Sequence, residues 1–198
     1  MSHKTMIGST SYEILGGKTL IGGTGYDMSG GRTLVSGTEY DIKFSINVEP
    51  IILYEPGLAA SYTTGYVGNV AQYSQVQFTT KSMYLQGMAM VVPAMGINQQ
   101  SQAYVCFGPY DLTHYSTLYF DVDNNGAMLK CGYTEKQYSG QQTDDIAFVE
   151  FATADSTTGN SHTVNELDIS NANGTYYIVA KTNRINNSAD SIYNLWLE

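Results

Sequence analysis

Three groups of residues in this 198-residue chain are of types that could do chemistry. The first is Asp121-Val122-Asp123-Asn124-Asn125-Gly126. It follows the opening of a calcium loop, in which hard oxygens at alternate positions converge on the ion. The twelfth position falls on Gly132, however, where a bidentate glutamate should stand. Asn-Gly between two strand-like runs also fits a type I′ hairpin turn. The turn is therefore preferred, and Asp121, Asp123 and Asn125 remain as metal candidates only if other loops supply the missing oxygens. The second group is aromatic. Seventeen tyrosines accompany one tryptophan, and Tyr104, Tyr110, Tyr115, Tyr119, Tyr133 and Tyr138 crowd the middle of the chain. Aromatic faces pack on the apolar faces of sugars while phenol hydroxyls and nearby amides take the sugar hydroxyls, so these six are the candidate ligand-binding residues. Packing or subunit contact is the alternative use of the same side chains.

The third group is acidic. Asp144, Asp145 and Glu150 could form a carboxylate pair for glycoside hydrolysis, which requires two acids about 5 to 10 Å apart. Any acidic β protein offers such pairs, and no other catalytic signature accompanies them. His3, His114 and His162 are isolated, and G-x-S-x-G, H-E-x-x-H and the phosphate-binding loop are all absent. Gly23-Thr24-Gly25 is not a dinucleotide fingerprint, because the next required glycine falls on Met28 and no βαβ pattern follows. Cys106 and Cys131 sit in strand-like contexts without further ligands and are expected as reduced, buried thiols. The expectation is a protein without catalytic residues or cofactor.

The elements that must position these residues are strands. Runs rich in Tyr, Val, Phe and Ile recur at 74–79, 83–92, 103–107, 117–122, 127–133, 146–151, 163–169, 176–181 and 192–197, and no segment sustains a helical period. Turn signals such as Asn124-Asn125-Gly126 and Asn173-Gly174 separate several of them. Eight to ten short strands imply two antiparallel sheets face to face, an all-β sandwich of jelly-roll type over 67–198. Residues 45–66 read as a linker through their small residues and Gly/Pro punctuation, with 51–54 assignable to either side.

The amino-terminal residues are organised differently. Lys4-Thr5-Met6-Ile7-Gly8-Ser9-Thr10-Ser11-Tyr12-Glu13-Ile14 recurs from Lys18 and again from Arg32, so three copies stand fourteen residues apart. Such self-similarity marks a repeated unit that buries its apolar face only against neighbours. Glycine-containing pairs cut each copy into two short strands. In the second strand of each, Tyr12 and Ile14, Tyr26 and Met28, and Tyr40 and Ile42 share one face, with acids on the other. The leading cation of each copy could pair with the acid of a neighbouring strand. A segment of 1–44 without cysteine is close to the roughly 40-residue floor for independent folding. The six Tyr and aliphatic residues are therefore the expected oligomerisation face, with a trimer favoured over an array packed on its own chain.

Strings such as Gly16-Gly17-Lys18-Thr19-Leu20-Ile21-Gly22-Gly23-Thr24-Gly25-Tyr26-Asp27 resemble the short repeats near the ends of structural proteins from phages and prophages of gut Firmicutes. The resemblance covers about a fifth of the chain. It implies a virion component such as a tail, baseplate or head fibre, and it carries no catalytic residues. The texture of the last strands, around 167–169, 174–180 and 193–197, also looks like that of carbohydrate-binding sandwich modules. The net charge of −9 repels phosphate backbones and argues against nucleic-acid binding. Cations and acids balance at four each over 1–44, so the whole excess lies downstream. No secretory signal follows Met1, and no stretch approaches the ~20 apolar residues of a membrane span. The expected protein is thus made in the host cytoplasm and carried on the virion as an oligomeric fibre or appendage. Its head would bind a cell-surface glycan; a decoration or connector protein with purely structural contacts is the alternative.

Overall fold

The computed structural model describes the strands of the first 47 residues by their backbone pairing. From Val48 on it describes the chain apart from residues 69–74, 87, 93–96, 124–128, 156–160 and 183–188. The chain divides into two compact units, Met1–Asn47 and Val48–Glu198.

In the first unit each repeat is one antiparallel hairpin. β1 (His3–Ile7) pairs with β2 (Thr10–Ile14), β3 (Lys18–Ile21) with β4 (Thr24–Asp27), and β5 (Gly30–Val35) with β6 (Thr38–Lys43). Only two residues separate the strands of each pair, the shortest of the common hairpin connections. The fourteen-residue period is carried into the register: Thr5 lies opposite Tyr12, Thr19 opposite Tyr26 and Thr33 opposite Tyr40. In the same registers Lys4 lies opposite Glu13, Lys18 opposite Asp27 and Arg32 opposite Asp41. Because strand faces alternate with period two, the threonine–tyrosine pairs occupy one face and the cation–acid pairs the other. Ile14 and Ile42 share the tyrosine face of their hairpins; Met28 lies outside the described residues.

The second unit is an antiparallel β-sandwich of jelly-roll-like arrangement. One sheet orders β10 (Gln75–Phe78), β11 (Met83–Gln86), β20 (Ala189–Leu197), β14 (Thr117–Asp123) and β18 (Thr163–Asp168), with β7 (Ile51–Glu55) also on β20 and β8 (Leu58–Ala59) on β7. The other orders β16 (Gly140–Gln142), β9 (Tyr62–Gly68), β13 (Ile97–Asp111), β19 (Thr175–Lys181), β15 (Lys130–Thr134) and β17 (Glu150–Thr153), with β12 (Met88–Val92) also on β13. The one parallel pairing among the described strands is β16 on β9. Alternation fills the space between the sheets: Ala103, Val105 and Phe107 of β13 and Leu118, Phe120 and Val122 of β14 belong to a single buried cluster. A register shift in β13 between Phe107 and Tyr110 is accommodated by Gly108, whose φ of 111° a side chain would resist.

Several expected boundaries move. The segment 45–66 is not a linker, since β7 pairs with β20 and Tyr62–Gly68 runs along the middle of β13. Ala59 and Thr63 are half-buried strand positions, a use that small residues share with loops. The run 83–92 is two strands, β11 in one sheet and β12 in the other. The strand expected at 146–151 begins only at Glu150. The stretch before it crosses the outer face of the β13 sheet, where Tyr138, Ile146 and Phe148 pack on Tyr104, Cys106 and Val179. Cys106 belongs to this outer cluster and Cys131 to the main core, so both are buried free thiols in separate layers. Burial raises the pKa of each.

Candidate binding cleft around Trp196

The outer face of the β14 sheet is the open one. Along β14, Leu118, Phe120 and Val122 point inward, which leaves Tyr119 half-buried on the other side. Along β20, Leu195 and Leu197 are buried, which leaves Trp196 outward. The register sets Trp196 opposite Tyr119 on one flank and Ile52 on the other. The rings of Tyr119 and Trp196 stack, with centroids 5.0 Å apart and planes at 13°. Two irregularities shape the surroundings. On β20 the register shifts between the partners of Asp121 and Val122, so Tyr193 is an extra residue and both it and Asn194 are half-buried. On β7 the register shifts at Leu53, which lets Leu53 and Tyr54 both turn inward and leaves Ile52 42% exposed. Such bulges re-aim side chains that strict alternation would send elsewhere.

Between these strands lies a cleft of about 360 Å³ lined by Pro50, Ile52, Tyr54, Asn194, Leu195, Trp196 and Glu198. Its walls are an indole, a tyrosine ring, a proline ring and two aliphatic side chains, and its amide and carboxylate come from Asn194 and Glu198. That combination suits a ligand with one apolar face and hydroxyls at its rim. One step along the sheet, His162 stacks on Tyr193 at 4.3 Å between centroids and 25° between planes, and its Nδ1 lies 2.7 Å from Oδ1 of Asp121. Burial first, and then the charges of Asp123 and Asp121, raise the pKa of Tyr193, so its phenol is kept protonated as a donor.

The six tyrosines expected as ligand contacts separate. Tyr104, Tyr133 and Tyr138 are corrected: they are 0, 3 and 2% exposed, so their faces are used in packing. Tyr104 donates its hydroxyl to the Gly140 carbonyl at 2.9 Å and accepts from Gln142 Nε2 at 3.3 Å. The Tyr138 hydroxyl accepts the Ala147 N–H at 2.9 Å, and its ring meets that of Tyr104 edge-on. Tyr133 meets Tyr176 edge-on and reaches Glu150 Oε2 at 3.3 Å. Tyr110 and Tyr115 are half-buried against the main core. Only Tyr119 stands beside the cleft, through Trp196.

The acids do not assemble as a pair at this cleft. Asp145 is an ion-pair partner of Lys181, and Glu150 is occupied by Tyr133. Of the calcium candidates, Asp121 and Asp123 lie on β14, Asp121 holding His162, while Asn125 lies outside the described residues. Among the described residues no group of three or more His, Cys, Asp or Glu side chains is placed to hold a metal ion. Sequence reasoning missed Ile52, Asn194, Trp196 and His162. The available signal was Trp196 itself, the single tryptophan, at a position where strand alternation sends it away from Leu195 and Leu197.

No family model matches this sequence, and no curated protein matches it. Among solved structures, the chain is similar to the family 11 carbohydrate-binding module from Clostridium thermocellum in complex with a β-1,3-1,4-mixed-linked tetrasaccharide, at 12% identity and a TM-score of 0.47, over 75% of this chain and 94% of that one. It is also similar to the enzymatically active domain of tailspike protein 4 of bacteriophage CBA120, at 16% identity and 0.40, over 69% of this chain and 19% of that one. A third is the K1 cleaved adhesin domain of Lys-gingipain from Porphyromonas gingivalis W83, at 12% and 0.42, over 76% and 96%. Likeness at this level carries no argument about ligand or activity.

Proposed function

We propose that this chain is an oligomeric surface subunit of a phage particle, without catalytic activity, whose β-sandwich binds a cell-surface glycan in the Trp196 cleft. The observation that carries the glycan reading is the placement of the only tryptophan in a cleft with Asn194 and Glu198 at its polar side. A pyranose ring has the matching chemistry, C–H groups for the indole and hydroxyls for the amide and carboxylate. The particle reading rests on the amino-terminal repeats and what they resemble, and on hairpins that are two-stranded within one chain among the described residues.

A decoration or connector role is the second reading. It is favoured by the consumption of Tyr104, Tyr133 and Tyr138 in packing and by Val149, Phe151 and Val164, which are 49, 42 and 54% exposed. Because Trp196 is the sole indole, glycan titration followed by tryptophan fluorescence reads the cleft directly. Cell-wall and capsular oligosaccharides are expected to shift its emission, and Trp196→Ala to weaken binding by at least about tenfold. A glycan array that stays silent on the intact chain would instead leave the connector role standing.

A further inference from the structure

The sheet face that carries Trp196 continues beyond Asn194. Along β14 the residues that alternate with the inward Leu118, Phe120 and Val122 are Tyr119, Asp121 and Asp123, so these three belong to the outer face. Asp121 lies opposite Asn194, which lines the cleft, and Tyr193 is the extra residue beside it. His162 precedes β18 on the side that alternation shares with the exposed Val164 and Glu166. Two ring stacks therefore stand on one face, Tyr119 with Trp196 and His162 with Tyr193. Their footings on β14, Tyr119 and Asp121, are two residues or about 7 Å apart at the rise of a strand.

His162 is held as a fixed surface ring. Its side chain is 47% exposed, whereas that of Asp121, whose Oδ1 lies 2.7 Å from Nδ1, is 9% exposed. A carboxylate has only acceptors, so Nδ1 carries the proton and Nε2, at the far edge of the ring, is left to accept. The bond fixes one edge and Tyr193 covers one face, so the ring offers its other face and the Nε2 edge. A ring already ordered in this way loses little freedom when a ligand lands on it. Its chemistry repeats that of the Trp196 cleft, a flat face for C–H groups beside a polar atom for a hydroxyl. The charge of the surroundings narrows the ligand further. β7, β14, β18 and β20 contain no lysine or arginine, while Asp121 and Asp123 stand on this face, Glu166 lies opposite Tyr119 and Glu198 lines the cleft. Burial, and then the charges of Asp123 and Asp121, raise the pKa of Tyr193, which shows the sign of the field at this end. A carboxylate or phosphate on the ligand would meet repulsion here, the proton on Nδ1 of His162 being engaged by Asp121.

We propose that the Trp196 cleft and the His162–Tyr193 stack are adjoining subsites of one site, which takes an uncharged linear oligosaccharide spanning at least two sugar rings and rejects acidic glycans. The inference rests on the reading of the Trp196 cleft as a glycan site. It adds a contact residue, His162, and a positioning residue, Asp121.

The test uses the full chain and calorimetric titration with linear glucose, galactose, mannose and N-acetylglucosamine chains, from the monosaccharide to the hexasaccharide. Each is also used after oxidation of its primary hydroxyls, which turns the sugars into uronates. Affinity for the best series should rise at least about tenfold from monosaccharide to trisaccharide, and the oxidised trisaccharide should bind at least about tenfold more weakly, by a margin that narrows with salt. His162→Ala, and His162→Gln, which keeps a donor for Asp121, should each cost the trisaccharide about tenfold and leave the monosaccharide within about twofold. Trp196→Ala should weaken both. Asp121→Asn should cost the trisaccharide about threefold and reduce the discrimination against its oxidised form, a change that a purely structural role would not produce. In the unaltered protein, the nitrogen resonance of His162 Nε2 should move on saturation with the trisaccharide and stay in place with the monosaccharide. Affinity that is flat with chain length, an Nε2 resonance that does not move, or oxidised chains that bind as well as their parents would each overturn the proposal. If Trp196 emission still responds to sugar in those cases, the cleft reading stands and only its extension falls. If no chain binds, both fall.

Discussion

Lys181 is the side chain with most at stake. It sits on β19 at 1% exposure, donates Nζ to Gln102 Oε1 at 2.9 Å and pairs with Asp145, whose side chain is 65% exposed. Burial lowers the pKa of the ammonium more than the hydrogen bond and charge of Asp145 raise it. Burial pushes the Asp145 carboxyl up, but the hydrogen bond and charge of Lys181 outweigh it and hold the carboxyl below its usual range. The two partners are therefore unequal. Asp145→Ala leaves a buried cation without its counter-charge and should cost roughly 2 kcal/mol, less than the 3–5 of a fully buried pair because water already screens this carboxylate. Lys181→Met leaves the carboxylate in water and an apolar chain in an apolar layer, and should stay within about 1 kcal/mol of the parent. Urea unfolding measures both, and the reverse ranking would mean that lysine packing, not charge, is what matters. The sign with pH follows from the depressed carboxyl. Its stabilisation is complete above the unfolded aspartate value of about 3.9 and is lost as pH falls through the lower folded one, so parent and Asp145→Asn stabilities should converge in acid.

At the scale of elements, the decisive event is the laying of the segment between β15 and β17 over the β13 sheet. Gly65 on β9 permits it, because a Cβ built there would stand 2.0 Å from the Gly140 carbonyl oxygen and 2.3 Å from the Tyr104 hydroxyl. Gly65→Ala must displace backbone as well as a ring, and should lower stability by at least about 2 kcal/mol. Limited proteolysis should then cut within 135–149, and an unchanged urea midpoint with no new cleavage would show that the segment is held elsewhere. The same event explains what could be read in advance. Alternation along 117–122 and the continuous run of aromatic, β-branched and small residues along 176–181 specify strands, and hence a sandwich, the first buried on one face and the second on both. Alternation does not say which outer face another segment will cover. Tyr104 and Tyr119 look alike in sequence, yet only Tyr119 has an uncovered sheet face, and the difference is made by residues some forty positions from Tyr104. Trp196 and Ile52 are hidden for a related reason: their cleft is made by the first and last strands of the second unit, and by shifts in register that no local pattern announces.

For the whole molecule, the question is what completes the three hairpins of Met1–Asn47. A lone two-stranded hairpin is marginally stable in water, and its edges offer unpaired backbone groups to other strands. Three hairpins that repeat one register are equivalent pairing units, which is the ground for expecting copies of the same chain as their complement. The full chain is expected to sediment at a multiple of its 21.7 kDa, with a trimer favoured, while a fragment comprising Val48–Glu198, which has its own core, should be monomeric and unfold cooperatively. The register gives a sharper version. Exchanging Lys4, Lys18 and Arg32 for glutamate sets like charges opposite Glu13, Asp27 and Asp41 and should dissociate the assembly; adding Glu13→Lys, Asp27→Lys and Asp41→Lys should restore it. A full chain that stays monomeric at micromolar concentration, or an assembly indifferent to the first exchange, would separate the repeats from self-association. On the proposed glycan reading the consequence reaches the Trp196 cleft: a shallow cleft would hold a sugar weakly, and chains joined through their amino-terminal units would convert several weak contacts into lasting attachment by effective concentration alone.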